Sequence, residues 1–322
     1  MSGPPTSVRP RAFVALIGAL AALAPACSQD EEAKPSAEKS AAEQPATKSE
    51  AEKKTEPDEL DRDLAKVERK VAESFEAEDW ARARNLLEDG LERAKEGGRE
   101  HERARGRLLL ARGDVARETG HEVEARRFYA DAMAVFRVEG DDVGRYRVHL
   151  AEARLEARLG DYAAAGRQLA EAESLLASVD DQELRAELLV QKGRLASRQV
   201  RHQEALEAFL EAAKVLKEAK KLERHAEAML LLSAEEDALG QTHQCRRSLA
   251  KALDVFRDLE DRDGEVRALH RMARLAARDG KYRRARSLLE KVAELYDELD
   301  RKSDAIKVIR QMSALPESDR KD

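Results

Sequence analysis

The chain has 322 residues, of which 39% are charged and only 4% aromatic, and its 59 basic and 65 acidic side chains leave a formal net charge of -6. Near-cancellation of the two signs removes any bulk electrostatic drive toward nucleic acid, which is therefore not expected as a partner. Two cysteines, Cys27 and Cys245, are too few for a disulfide framework, and the prevalence of Ala, Leu, Glu, Arg and Lys is the composition of long exposed helices.

From the N-terminus, Arg9 and Arg11 precede an apolar run from Ala12 to Leu23 that ends in Ala24-Pro25-Ala26-Cys27. A basic start, a short apolar stretch and small residues before a cut predict a signal peptide over residues 1–26, and the run is too short to span a membrane. Two processing routes fit, both cutting before Cys27. Ala24-x-Ala26 suits an ordinary signal peptidase, whereas a cysteine just beyond the cut resembles a bacterial lipobox and implies lipidation of Cys27. Residues 28–58 contain no Ile, Leu, Val or aromatic residue. Such a segment cannot bury enough apolar surface to order itself, and as a coil it would reach about 30 Å. The first route predicts a soluble periplasmic or secreted protein. The second predicts an outer-membrane lipoprotein of the bacterial envelope facing the periplasm, with residues 27–58 as anchor and linker.

Beyond residue 58 the chain is periodic. Gly120, Gly160, Gly240 and Gly280 stand at multiples of one 40-residue step, Val200 fills the vacant place, and a small residue follows each five positions later: Ala125, Ala165, Ala205, Cys245 and Ala285. Trp80 and Ala83 begin an earlier copy. Between Pro57 and Pro316 there is no proline, so no helix in that interval meets the strongest breaker. In the copy from Arg145 to Val179, Leu150, Leu155 and Leu159 make one helical stripe. Gly160-Asp161 supplies a stop and a cap, and Tyr162, Ala165, Leu169, Ala172 and Leu176 make a second stripe. Helix pairs are expected to start near Leu60, Glu100, Asp142, Gln182, Glu223 and Asp263, with Ser303 to Leu315 as a closing helix and residues 316–322 as a tail.

The glycines at 113 and 193, Gly160-Asp161-Tyr162, Gly280-Lys281-Tyr282 and the alanine five residues after each turn glycine resemble the tetratricopeptide repeat in a long-period form. The resemblance covers residues 60–315. It implies an all-α, right-handed α-solenoid of about six antiparallel helix pairs with a capping helix, and a binding scaffold in place of a catalyst. The carboxylate clamp of chaperone-binding members needs helix asparagines, and Asn85, on a second helix, is the only asparagine.

No phosphate-binding, nucleophile-elbow, zinc-protease or paired-cysteine motif occurs, so neither catalytic residues nor a cofactor nor a metal is expected. His243 and Cys245 are too close in sequence to chelate from one helix, even with His202 and His225 nearby. Cys245 fills the small-residue slot, and Trp80, Tyr162 and Tyr282 read as packing residues. The first helix of successive pairs carries Arg107 and Arg117, then Arg147, Arg154 and Arg158, then Arg194 and Arg198, and finally Arg267, Arg271, Arg274 and Arg278. By the resemblance, first helices line a groove, and arginine forks there would take a protein partner with an acidic segment. Alternatively these arginines form a solvated face paired with Glu152, Glu156 and Glu187. The fifth pair offers Met229, Leu230 and Leu231 with Asp237, as an apolar pocket or as core. The sequence thus leads to an envelope docking scaffold. Rival readings are a periplasmic sensor or binder of an anionic peptide or glycan, and a regulatory subunit of an enzyme encoded elsewhere.

Overall fold

The computed structural model describes residues 59–177, 179 and 181–319. The signal peptide, Cys27, the linker and the last three residues of the tail lie outside them. Thirteen α-helices account for nearly all of the described chain. They are α1 (Glu59–Glu76), α2 (Trp80–Glu96), α3 (Glu102–Glu118), α4 (Glu122–Val138), α5 (Asp142–Leu159), α6 (Tyr162–Leu176) and α7 (Gln182–Arg198). After these come α8 (His202–Glu218), α9 (Leu222–Ala238), α10 (Thr242–Asp258), α11 (Arg262–Arg278), α12 (Tyr282–Glu298) and α13 (Lys302–Ser313). One 3-10 turn, Gly98–His101, precedes α3, and there is no strand among the described residues. The chain divides into two compact units at Asp141 and Asp142. The first holds α1 to α4. The second holds α5 to α12 as four antiparallel pairs, with α13 closing it. Each unit is a stack of helix pairs, the architecture of an α-solenoid.

One turn recurs at most of the helix ends. At the end of α7 the Val200 amide donates to Ser197 O at 3.0 Å and the Arg201 amide reaches back to Ala196 O at 2.9 Å, with Val200 at φ 61°. This is a Schellman ending, which needs one left-handed residue just past the helix. The same backward bond recurs after α5, from Asp161 to Glu156 O at 3.0 Å, where Gly160 takes φ 86°. The turns after α4, α8, α10 and α12 also use it, with Gly140, Lys220, Glu260 and Asp300 left-handed, whereas α3 is reached through the 3-10 turn Gly98–His101. Three-residue connections of this kind hold neighbouring helices antiparallel. Four following helices receive a side-chain cap from an aspartate, for example Ala164 N to Asp161 Oδ1 at 2.8 Å.

Packing within a pair follows a size match between two positions. Tyr129 and Phe209, on the second helices, are fully buried, and opposite them stand Gly113 and Gly193. A Cβ added at either glycine would sit 2.4 Å from the Tyr129 ring or 2.6 Å from the Phe209 ring. In the same positions of the other pairs, Leu169, Leu249 and Leu289 face the register places of Ala153, Ser233 and Ala273, all buried. The interior is thus filled to constant volume by trading ring against methyl. Cys245 is buried in the column of Ala125, Ala165, Ala205 and Ala285, and burial together with Asp237 and Glu236 pushes its thiol up to about 11. Met229 and Leu230 lie in the core of the second unit with Leu231 packed against it, so the apolar run of α9 is core and not a pocket.

At the C-terminus, Arg286 of α12 donates to the carbonyls of Leu315 (2.9 Å), Pro316 and Glu317 (3.1 Å), and Asp319 accepts from the Arg283 amide at 2.8 Å. The residues after α13 therefore fold back over the start of α12. No helix among the described residues is long and apolar enough to cross a membrane.

Candidate functional site

In the second unit the first helices α5, α7, α9 and α11 are tied to one another along one face. Arg154 Nη2 on α5 donates to Glu187 Oε1 on α7 at 2.9 Å, and the Tyr146 hydroxyl on α5 donates to Leu184 O on α7 at 2.7 Å. Between α7 and α9, Arg224 Nη1 reaches Glu183 Oε1 at 2.6 Å and Ser197 Oγ reaches Glu235 Oε1 at 2.7 Å. Between α9 and α11, Arg267 Nη1 donates to Glu227 Oε1 at 3.2 Å and Arg271 Nη1 to Leu230 O at 2.7 Å, while Arg278 pairs with Asp237. These bonds join residues of successive repeats. The first-helix face is therefore a set of adjoining helices whose polar side chains bridge from one to the next.

Within this face the predicted arginines fall into two groups. Arg154, Arg267, Arg271 and Arg278 are committed to the ties just described. Arg147, Arg194, Arg198 and Arg274 have no hydrogen bond or ion pair among the described residues, and Arg198 and Arg274 are exposed. Arg158 extends the α5 row beside Arg154. Burial, reinforced by the positive charge of Arg154, pushes the half-buried Arg194 guanidinium down to about 10. Burial and the neighbouring Arg274 lower Arg271 in the same way. Both remain cations near neutral pH, in a setting that disfavours their charge.

In the first unit Arg107 on α3 donates from Nε to Glu68 on α1 at 2.7 Å. Arg117 is 3% exposed, inside the core, where it donates to Asp114 at 3.0 Å and to the Tyr129 hydroxyl at 3.2 Å. Burial would lower its affinity for the proton, but Asp114, Tyr129 and Glu118 outweigh that and raise it. In the 40-residue register Arg117 aligns with Ala157, Ser197, Asp237 and Ala277, whereas Arg158, Arg198 and Arg278 align with Glu118. A one-residue offset turns a helical side chain by roughly 100°, and Arg117, out of the column of the face arginines, is held in the interior by Asp114 and Tyr129. It is a structural tie.

Sequence reading named Glu187 among the acidic partners of this face and missed Glu227 and Glu183. Glu187 and Glu227 occupy the positions that Arg147 and Arg267 hold in their own repeats, and Glu183 binds both Lys221 (2.8 Å) and Arg224. Aligning the repeats column by column would have paired Arg154 with Glu187, since one lies on each of two adjoining first helices. Among the described residues no three His, Cys, Asp or Glu side chains gather as a metal set. His202 instead meets Glu235 at 2.8 Å, His225 meets Ala213 O at 2.7 Å, and His243 is exposed.

Comparison with known proteins gives the fold independent support. Residues 170–321 match the family model for Soluble NSF attachment protein, SNAP, which is just under half of the chain. No curated protein matches. Among solved structures, the chain is similar to a Signal Transduction ATPase with Numerous Domains (STAND) protein with a tetratricopeptide repeat sensor from Pyrococcus horikoshii, at 14% identity and TM-score 0.61. That match covers 77% of this chain and 37% of the ATPase, so the chain spans little more than a third of that protein. It is also similar to a Rap protein complexed with Competence and Sporulation Factor, at 12% identity and TM-score 0.58, covering 80% and 87% of the two chains. A third similar structure is BtubC from P. vanneervenii, at 14% identity and TM-score 0.55, covering 83% and 97%. At these identities the likeness is one of fold: the chain is a helical-repeat protein of the SNAP-like and tetratricopeptide-like kind.

Proposed function

We propose that this chain is a non-enzymatic docking scaffold that holds a protein partner on the first-helix face of its second unit. The observation that carries the reading is the division of labour among the arginines. Arg154, Arg267, Arg271 and Arg278 lock adjoining first helices together, while Arg147, Arg194, Arg198 and Arg274 are left without a partner on the same face. A face made rigid by its own ties and left with spare charged donors is pre-organised for a ligand. The proposal also places the protein in the bacterial envelope through a lipid on Cys27, a reading that rests on the sequence of residues 1–58. Mass spectrometry of the mature N-terminus tests that part, and an unmodified Cys27 would remove the anchor without touching the scaffold.

Site-directed photocrosslinking in the native host tests the docking face. A benzophenone side chain replacing Arg198 or Arg274 should yield adducts with a partner. The same group replacing Glu204, exposed on the second helix α8, should yield none. Equal labelling at all three positions would refute a docking role for this face.

A further inference from the structure

Four guanidiniums on α5 and α7, those of Arg147, Arg154, Arg194 and Arg198, share one stretch of the face. Of the carboxylates there, Glu187 is taken by Arg154 and Glu227 by Arg267. Arg147, Arg194 and Arg198 are left without a hydrogen bond or ion pair among the described residues, and only the fields of Glu227 and Glu187 favour the charge of Arg194. In addition, the Nε atoms of Arg147 and Arg154 are buried and have no acceptor. Folded proteins pair more than roughly nine in ten of their buried polar groups, so orphaned donors beside unpaired cations point to a missing acceptor. We infer that Arg147, Arg154, Arg194 and Arg198 form a seat for the carboxylates of an acidic peptide segment. This deepens the docking reading above and rests on it.

The protein already shows how a carboxylate sits there. Glu187 stands in the repeat position that Arg147 holds one repeat earlier, and it accepts from the fork of Arg154 at 2.9 Å. Glu227 stands in the equivalent place for Arg194 but bonds Arg267, so a peptide side chain would bring a further carboxylate against Arg194 and Arg198. Charge crowding gives the seat its affinity. Burial and the fields of Arg154 and Arg198 disfavour the Arg194 charge against the fields of Glu227 and Glu187, and an incoming anion adds to the favourable side. The rest of the molecule restricts what can enter. With a net charge of -6 the chain as a whole repels a long polyanion such as a nucleic acid or a polyphosphate, while a short segment with a few carboxylates meets the local positive charge alone. Arg198 is exposed and Arg194 half-buried, so the seat is open to a ligand from solvent.

The test is fluorescence anisotropy of the purified full-length protein with a fluorescein-labelled octaglutamate peptide, beside octaglutamine and inorganic tripolyphosphate. Octaglutamate should bind, weaken with added salt, and lose about tenfold in affinity for Arg194→Gln and for Arg198→Gln. Arg284→Gln, exposed on α12, should bind like the parent. Thermal unfolding checks each variant, and because Arg198 is exposed, Arg198→Gln carries the test should Arg194→Gln fold poorly. Octaglutamate binding that ignores both substitutions, equal binding of octaglutamine, or binding of tripolyphosphate alone would overturn the assignment. Loss of octaglutamate binding with crosslinking at positions 198 and 274 intact would remove the seat and leave the scaffold standing. Loss of both would remove the scaffold as well.

Discussion

The trade of ring against methyl inside each helix pair gives a prediction whose sign depends on one partner. In Gly193→Ala the new Cβ would lie 2.6, 2.8 and 3.0 Å from three carbons of the Phe209 ring, distances that force the ring or the helix to move. Overpacking of this kind costs about 1–3 kcal/mol, and the better helix propensity of alanine returns about 1 kcal/mol, so the variant should be destabilised by about 1 kcal/mol. Phe209→Leu alone leaves a space where the ring was, at a cost of about 1–2 kcal/mol. In the double variant the pair becomes alanine facing leucine, the combination that the α5/α6 pair uses at Ala153 and Leu169. There the alanine should stabilise by up to about 1 kcal/mol, giving a coupling energy of about 1–3 kcal/mol. Urea unfolding of the full chain followed by far-UV circular dichroism measures all four corners of the cycle. Gly193→Ala must lower the midpoint while Phe209 is in place and raise it once Phe209→Leu has removed the ring. Additive effects would refute the size-matching argument.

Two further outcomes follow from the turns and the ion pairs. Val200 holds φ 61° where the equivalent turns at 120, 160, 240 and 280 use glycine. A left-handed residue with a Cβ costs about 1–2 kcal/mol and glycine's extra chain entropy about 0.5–1 kcal/mol, so Val200→Gly should raise stability by about 0.5–1 kcal/mol, and an unchanged or lower melting midpoint would contradict that. Burial acts to raise the Glu183 carboxyl, but Lys221 and Arg224 outweigh it and hold the group below the ordinary carboxylate range. A depressed folded value stabilises above the unfolded value of about 4.3 and ceases to do so as pH falls through the folded value. Glu183→Gln should therefore melt below the parent at pH 7, and the difference should shrink at pH values below the ordinary carboxylate range. A melting difference that stays constant between these pH values would show that the Glu183 charge is not responsible.

The fold was legible in the sequence because it rests on rules that act within a few residues. Glycines such as Gly160 mark left-handed turns, and Asp161 beside it is a cap that the structure forms as expected. The turns at Glu78, Lys220, Glu260 and Asp300 were silent, because the backward hydrogen bond of the Schellman ending imposes the left-handed residue even where its side chain does not favour it. The arginine face was half legible. Its members could be aligned by the period, but which of them are spent depends on acceptors 33 to 41 residues away, as for Arg154 with the Glu187 carboxylate and Arg271 with the Leu230 carbonyl. Arg117 shows the same limit from the other side. A similar residue one place out of register lands in the core, and only the packed structure separates the two.

The columns of the repeat suggest why spare charge gathers at α5 and α7. In an array stabilised by nearest-neighbour interfaces, opposite signs within one column tie its helices together, as Arg267 to Glu227 does, and so do opposite signs in neighbouring columns, as Arg154 to Glu187 does. The column of Arg154, Arg194, Ala234 and Arg274 places two arginines on adjoining helices and then interrupts the series with alanine. Like charges at adjoining positions reduce stability. Burial first, and the charge of Arg154 second, lower the proton affinity of Arg194. Arg194→Met keeps the apolar stem and removes the charge, so it should raise the unfolding midpoint of the isolated chain, by about 1 kcal/mol in stability, because replacing a poorly paired, half-buried charge with an apolar side chain is commonly neutral or stabilising. The same variant should lose octaglutamate. A residue whose removal improves the fold while abolishing binding is retained for its ligand. If Arg194→Met instead destabilised the chain, the arginine would be holding the array together and the case for a carboxylate seat at this position would fail.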